Sequence, residues 1–176
     1  MMRNFILMLM LVLTACVSSS AADRSVRDRD KDWSILDSLV DMAVRDMSFV
    51  LEADRLTVPS GTSVMVSSVI NFVSVNEDKA VVQVSPLRGP GVNGVGGITV
   101  EGNIYDVRYD TDRWGNLILT MSVRGAAVSC RLTFTISKSG DSARVRVDPN
   151  YSSDDITLYG TVVPAMLSTV HQARTL

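Results

Sequence analysis

The sequence predicts an all-β fold, an antiparallel meander curled into a barrel, half-barrel or clamshell behind one short helix, with a two-sheet sandwich as the alternative. Three observations predict it. From residue 49 onward apolar side chains recur with period two, as in Phe49-Leu51-Ala53 and Leu117-Leu119-Met121-Val123, which marks half-buried strands. The links between these runs are short and turn-like, and short links make antiparallel neighbours, because parallel pairing needs a crossover of a dozen or more residues. A long meander with one oily face must then close on itself or fold over to bury that face.

The chain opens on something else. Arg3 precedes the unbroken apolar run Phe5 to Leu13. That run is long enough for a secretory signal but short of the ~20 residues a membrane span requires. Leu13-Thr14-Ala15-Cys16 follows, and it resembles the bacterial lipobox. Leu13, Thr14 and Ala15 would be read by the signal peptidase, whose approach the small residues permit, and Cys16 supplies the thiol for a thioether to diacylglycerol. Residues 1–15 are thus expected to be removed and Cys16 to anchor the mature chain through lipid, each buried CH₂ contributing about 0.8 kcal/mol. Val17 rather than Asp follows the cysteine, a pattern similar to outer-membrane sorting in other Gram-negative bacteria. The expected location is the cell envelope, on the outer membrane facing the periplasm.

Residues 16–31 read as a flexible tether. VSSSAADRSVRDRDK offers small, polar and oppositely charged side chains with little to pack. A single β-rich domain is expected over 32–163, followed by a C-terminal tail over 164–176. Within it the segment near 34–48 reads as a helix: Leu36, Leu39, Val40, Ala43 and Met47 recur at helical spacing, and Ser34 with Asp37 resembles a capping box. Its stripe is expected to rest across one end or face of the sheet. About nine strands follow, near 49–56, 62–75, 80–87, 97–101, 104–111, 116–124, 127–137, 142–148 and 155–163. The predicted turns include Asn76-Glu77-Asp78-Lys79, Gly102-Asn103, Gly125-Ala126 and Lys138-Ser139-Gly140-Asp141.

Two motifs imitate ligand sites. Gly89-Pro90-Gly91-Val92-Asn93-Gly94 spells G-x-G-x-x-G, but a dinucleotide fingerprint needs its glycines to open a helix. Here they lead into Gly96-Gly97-Ile98-Thr99-Val100, which disfavours one. The stretch reads instead as a long connecting loop and, together with Trp114, as a contact surface at the rim. Asp110-Thr111-Asp112-Arg113-Trp114-Gly115 begins like a calcium loop, yet Trp114 sits at a ligand position and Met121 stands where a bidentate Glu belongs. It reads as a hairpin turn.

Catalytic residues are sparse. The single histidine, His171, lies near the end of the chain, so a histidine triad or metal site is not expected. No cofactor and no metal are expected. Cys130 falls in the alternating set Val128, Cys130, Leu132, Phe134, Ile136 and should be buried. Glu52/Asp54 and Asp154/Asp155 are the carboxylate pairs, the first arranged along one strand as a hydrolase would need. Removing residues 1–15 leaves 16 basic against 19 acidic side chains, with no nucleic-acid footprint.

The lipobox, the helix leading into Phe49-Val50-Leu51-Glu52-Ala53-Asp54, the strand with Ser67 to Phe72, Gly96-Gly97-Ile98 and the terminal strand ending near Tyr159-Gly160 together resemble Bacteroides-type envelope proteins known as domain of unknown function 4251. The resemblance spans about residues 35 to 163. It implies a β-rich lipoprotein and carries over no functional residue; the tyrosine-rich, acidic loop of such proteins is here GPGVNGVGG. Asp37-Ser38-Leu39 and Asp141-Ser142-Ala143 are similar to the D-S/T-aliphatic glycosylation triplets of such bacteria.

The expected role is a non-catalytic, lipid-anchored binding module whose partners are the membrane, through its lipid, and either an apolar ligand or an envelope protein. A carrier of an apolar ligand would need an open interior lined by residues such as Tyr105, Val107, Tyr109, Leu119, Met121 and Phe134. The alternatives are a carboxylate-dependent envelope hydrolase and a periplasmic enzyme inhibitor.

Overall fold

Alternation of buried and exposed side chains along nine strands builds a closed β-barrel in the computed structural model of the chain, which describes residues 38–85, 98–138, 142–150 and 155–170. The strands are β1 (Ser48–Thr57), β2 (Ser63–Met65), β3 (Phe72–Asn76), β4 (Lys79–Val84), β5 (Ile98–Thr111), β6 (Leu117–Gly125), β7 (Ser129–Ile136), β8 (Ala143–Pro149) and β9 (Ile156–Pro164). All pairings are antiparallel, in the order β2-β1-β3-β4-β5-β6-β7-β8-β9, and β9 returns to β1. Closure gives an eight-stranded barrel, with the three-residue β2 alongside the far end of β1. The sandwich alternative is thereby set aside.

The pattern is apolar inside and polar outside, the inverse of a membrane-spanning barrel. On β8, Ala143, Val145 and Val147 are buried while Arg144, Arg146 and Asp148 are exposed. Phe49 and Phe134 meet edge to face inside, with centroids 5.4 Å apart at 77°. Around them Leu51, Leu56, Leu119, Met121, Leu132 and Leu158 are all fully or almost fully buried. Among the described residues, no helix is long and apolar enough to cross a membrane.

The helix covers residues 38–45 of those described, ending earlier than the predicted 48. Val40, Ala43 and Val44 join the barrel's core cluster. Leu39, from the predicted stripe, is 39% exposed, whereas Val44 is at 1%. The end is set by Met47, whose left-handed backbone (φ 52°) stops the helix and turns the chain into β1. The Met47 carbonyl then accepts the Glu77 N–H at 2.7 Å, tying the helix exit to the β3–β4 turn.

Two predicted boundaries are corrected. The strand expected over 62–75 is broken: Ser67–Ile70 forms a turn, because the Asn71 N–H (3.0 Å) and its side-chain Nδ2 (2.9 Å) both donate to the Ser67 carbonyl. The strands expected at 97–101 and 104–111 are one strand, β5. Gly102 is not a turn; there β5 passes so close to the Arg124 carbonyl that no Cβ fits. A glycine inside a strand often marks such a close backbone approach.

Asn71 is one of two buried polar residues in the described region, at 1% exposure. Besides its bonds to Ser67, its Oδ1 accepts the Ser85 N–H at 2.9 Å and its carbonyl accepts the Ala53 N–H at 3.0 Å. It therefore couples β1, the turn before β3 and the exit of β4. Asn71→Ala is expected to lower stability by about 1–3 kcal/mol in urea denaturation, since it takes the acceptor from the half-buried Ser85 N–H and empties a buried side-chain site. A loss below about 0.5 kcal/mol would show the network to be dispensable.

The C-terminal tail expected over 164–176 does not begin as one. β9 includes Pro164, and the single 3₁₀ turn Ala165–Leu167 follows. Val163, Ala165 and Val170 pack on Val50, Phe72 and Val81, a second small cluster on the outside of the wall. The Ser168 hydroxyl adds a hydrogen bond to Glu52 Oε1 at 2.7 Å.

Candidate functional site on the outer wall

The barrel interior is filled, so the predicted ligand lining divides. Leu119, Met121 and Phe134 are fully buried and packed into the core, while Tyr105, Val107 and Tyr109 are 40–48% exposed. A β-bulge in β5 puts Tyr105 and Tyr109 on opposite faces. Tyr105 stands opposite Ser122 and Arg108 opposite Thr120, so Asp106 and Val107 together face one residue. Asp106 takes positive φ (54°). One extra residue reverses the side-chain phase. Tyr105 consequently shares the outer face with Ser122, and Tyr109 shares the face of Leu119, where its hydroxyl donates toward Met47 Sδ at 3.2 Å.

Sent outward, Tyr105 becomes one wall of a surface groove of about 360 Å³. Strand register assembles the rest: Tyr105, Ser122, Arg131 and Asp148 stand directly opposite one another across β5, β6, β7 and β8. Directly opposed residues on one face have Cβ atoms ~5 Å apart, so each side chain neighbours the next along the row. The Arg124 guanidinium lies 5.1 Å from the centroid of the Tyr105 ring. Stacking restricts that long side chain before any ligand arrives. The groove thus presents guanidinium donors, a serine hydroxyl and the Asp106 and Asp148 carboxylates, an arrangement that can hold a hydroxylated ligand bearing an anionic group.

Cys130 underlies this groove. It is 4% exposed, and its thiol is pushed up to about 11, mainly by burial and then by the Asp148 carboxylate. The thiolate is the reactive form. Native protein at pH 8 is therefore expected to react with a thiol reagent such as DTNB roughly 100-fold more slowly than an exposed cysteine at the ordinary ~8.5. Rapid, stoichiometric labelling of the folded chain at Cys130 would contradict this.

The sequence-predicted rim residues separate. Gly89, Pro90, Gly91, Val92, Asn93 and Gly94 lie outside the described residues, as do Leu13, Thr14, Ala15, Cys16, Asp37, Asp141, Asp154 and His171. Trp114 is described: it is 68% exposed at the β5–β6 hairpin tip, with the Arg113 guanidinium 4.1 Å from its ring centroid. The calcium-like motif is a turn. Asp112 Oδ1 accepts the Trp114 and Asn116 N–H groups, both at 2.9 Å, its Oδ2 accepts Asn116 Nδ2 at 2.8 Å, and Gly115 supplies φ 85°. Desolvation raises the Asp112 carboxyl, but these bonds outweigh it and hold it below its ordinary value. A lowered folded value contributes stability above the unfolded pKa and loses it as pH falls through the folded one. An NMR titration is expected to place the Asp112 midpoint below the ordinary ~3.9.

The carboxylate pairs have other engagements. Glu52 accepts from Ser168, Asp54 is exposed at a second irregularity between Ala53 and Arg55, and Asp155 pairs with Arg146 at 2.8 Å. Among the described residues, no three His, Cys, Asp or Glu side chains gather as metal ligands.

The groove is hard to see in the sequence because its members lie on four different strands, from Tyr105 on β5 to Asp148 on β8. The available signal was alternation: Arg131, Arg144, Arg146 and Asp148 all occupy the polar phase of their strands. Which of them become neighbours depends on register.

Comparison with known proteins agrees with this fold. A model of the family described as a domain of unknown function (DUF4251) matches residues 37–162. A search of curated proteins returns no match. The chain is similar to the crystal structure of a DUF4251 family protein from Bacteroides eggerthii DSM 20697, with 32% identity and a TM-score of 0.67. That similarity covers 81% of this chain and 96% of the other. With the family model spanning most of its barrel, the chain belongs to the DUF4251 family.

Proposed function

We propose that this protein is a non-catalytic binding module of the cell envelope, lipid-anchored through Cys16 on the periplasmic side of the outer membrane, that makes its contacts on its outer wall. The observation that carries the binding mode is the filled barrel. Phe49, Phe134, Leu119, Met121 and Leu132 are each at 0% exposure, occupying the space a carrier would keep for its ligand. An eight-stranded barrel is just wide enough for side chains to fill it. Polar groups suited to recognition stand outside, around Tyr105, Arg124, Arg131 and Asp148. The anchor rests on Leu13-Thr14-Ala15-Cys16.

Metabolic labelling with radioactive palmitate tests the anchor: the full chain is expected to take up label and Cys16→Ala to lose it. Organic extraction of the purified protein tests the binding mode. A stoichiometric apolar molecule released from the barrel would overturn surface binding in favour of carriage.

A further inference from the structure

The outer wall from β5 to β9 is an arginine and hydroxyl surface built by register. Arg108, Thr120, Thr133, Arg146 and Thr157 form one row across five strands. The next row toward the β5–β6 turn contains Asp110, Ile118, Thr135, Arg144 and Tyr159. On the other side runs the groove row with Ser122, Arg131 and Asp148. Adjacent strands are ~4.8 Å apart, which separates Arg108 from Arg146 by about 14 Å along their row. Arg131 lies diagonally from Arg146 at about 7–8 Å.

Arg108, Arg131 and Arg144 are exposed, and among the described residues none has a carboxylate within ion-pair distance. At the margin, the Arg55 guanidinium stacks 4.2 Å from the Tyr159 ring centroid, as Arg124 does on Tyr105. Within these three rows Arg108, Arg131, Arg144 and Arg146 stand against Asp110 and Asp148, and Arg146 is taken up by Asp155 at 2.8 Å.

We infer that this wall binds an acidic polysaccharide, a hydroxyl-rich chain with carboxylate or sulfate groups at intervals. The inference deepens the outer-wall reading above and rests on it. Separated guanidiniums pair bidentately with spaced carboxylates or sulfates. The hydroxyls of Thr120, Thr133, Thr135 and Ser122 both donate and accept, as sugar hydroxyls require. Asp110 and Asp148 favour a polysaccharide over a DNA duplex: they accept from sugar hydroxyls, which a polysaccharide presents on every residue and the deoxyribose of a duplex does not. The wall also contains no lysine on β5 to β9, whereas planar anions are matched by arginine's fork.

The test uses the full chain in detergent, with sodium alginate as the acidic polysaccharide and size-matched dextran and double-stranded DNA as comparators, by calorimetry at two salt concentrations. Alginate is expected to bind, more weakly at high salt, with dextran silent and DNA at least tenfold weaker. The triple variant Arg108→Ala, Arg131→Ala, Arg144→Ala is expected to lose at least tenfold in affinity with its circular dichroism unchanged. Should that variant misfold, the charge-keeping Arg→Lys triple takes its place and is expected to lose threefold or more. Absence of alginate binding, a variant that binds like the parent, or DNA binding as tightly as alginate overturns the inference. Each of these results leaves palmitate labelling and the extraction result untouched, so the anchor and the filled barrel stand or fall separately.

Discussion

Gly160→Ala is expected to leave the chain largely unfolded. Gly160 sits opposite Ala53 on the seam where β9 meets β1 and closes the barrel. A Cβ added there would collide with the Glu52 carbonyl oxygen and lie 2.8 Å from both the Ala53 Cα and the Glu52 carbonyl carbon. All three are backbone atoms, so no change of rotamer relieves the clash. Either the seam opens, exposing Phe49 and Leu51, or β1 shifts and its pairing with β3 is disturbed. Overpacking a core typically costs about 1–3 kcal/mol, and a collision with fixed backbone at the closing seam belongs above that range. Urea denaturation read by circular dichroism checks this. A variant within about 1 kcal/mol of the parent would mean that the seam has slack the close approach denies.

Phe134→Ala is expected to lower stability by about 3–5 kcal/mol, the usual range for removing a buried phenyl. Phe134 is at 0% exposure and is the edge-to-face partner of Phe49. β7 and β1 are not sheet neighbours, so this contact spans the barrel rather than a ladder. The void left behind is ringed by strands on every side and collapses poorly. Phe134→Leu is expected to lose less than half as much, and equal losses for the two variants would point to the aromatic pair rather than the cavity as the main source.

The fold was readable because alternation is a local property. Val145 and Val147 inside with Arg144 and Arg146 outside follow from the pleat alone, and the same rule placed Cys130 in the interior. The rule fails where an extra residue enters. Tyr105, Val107 and Tyr109 look like one apolar face, but Asp106 and Val107 share a single partner and the phase reverses between the tyrosines. Nothing within YDVRY announces this; the bulge exists because β6 offers one residue between Thr120 and Ser122. Gly102 misled for a related reason: a glycine for a turn and a glycine for a close crossing are the same letter. Val50, Phe72 and Val81 likewise stand outside the period-two interior, buried because the segment around Ala165 and Val170 returns to cover them.

Sequence alone determined the strand-rich body, which side chains face inward on most strands, and the hairpin turn around Asp112, because each depends on residues within a few positions of one another. It also carries Leu13-Thr14-Ala15-Cys16, on which the proposed anchor rests. Only the tertiary structure decided that β9 closes on β1, that the interior is full, and that Tyr105, Ser122, Arg131 and Asp148 stand in one row. Those outcomes depend on register between strands distant in the chain, and register follows from how the whole set of apolar side chains packs at once.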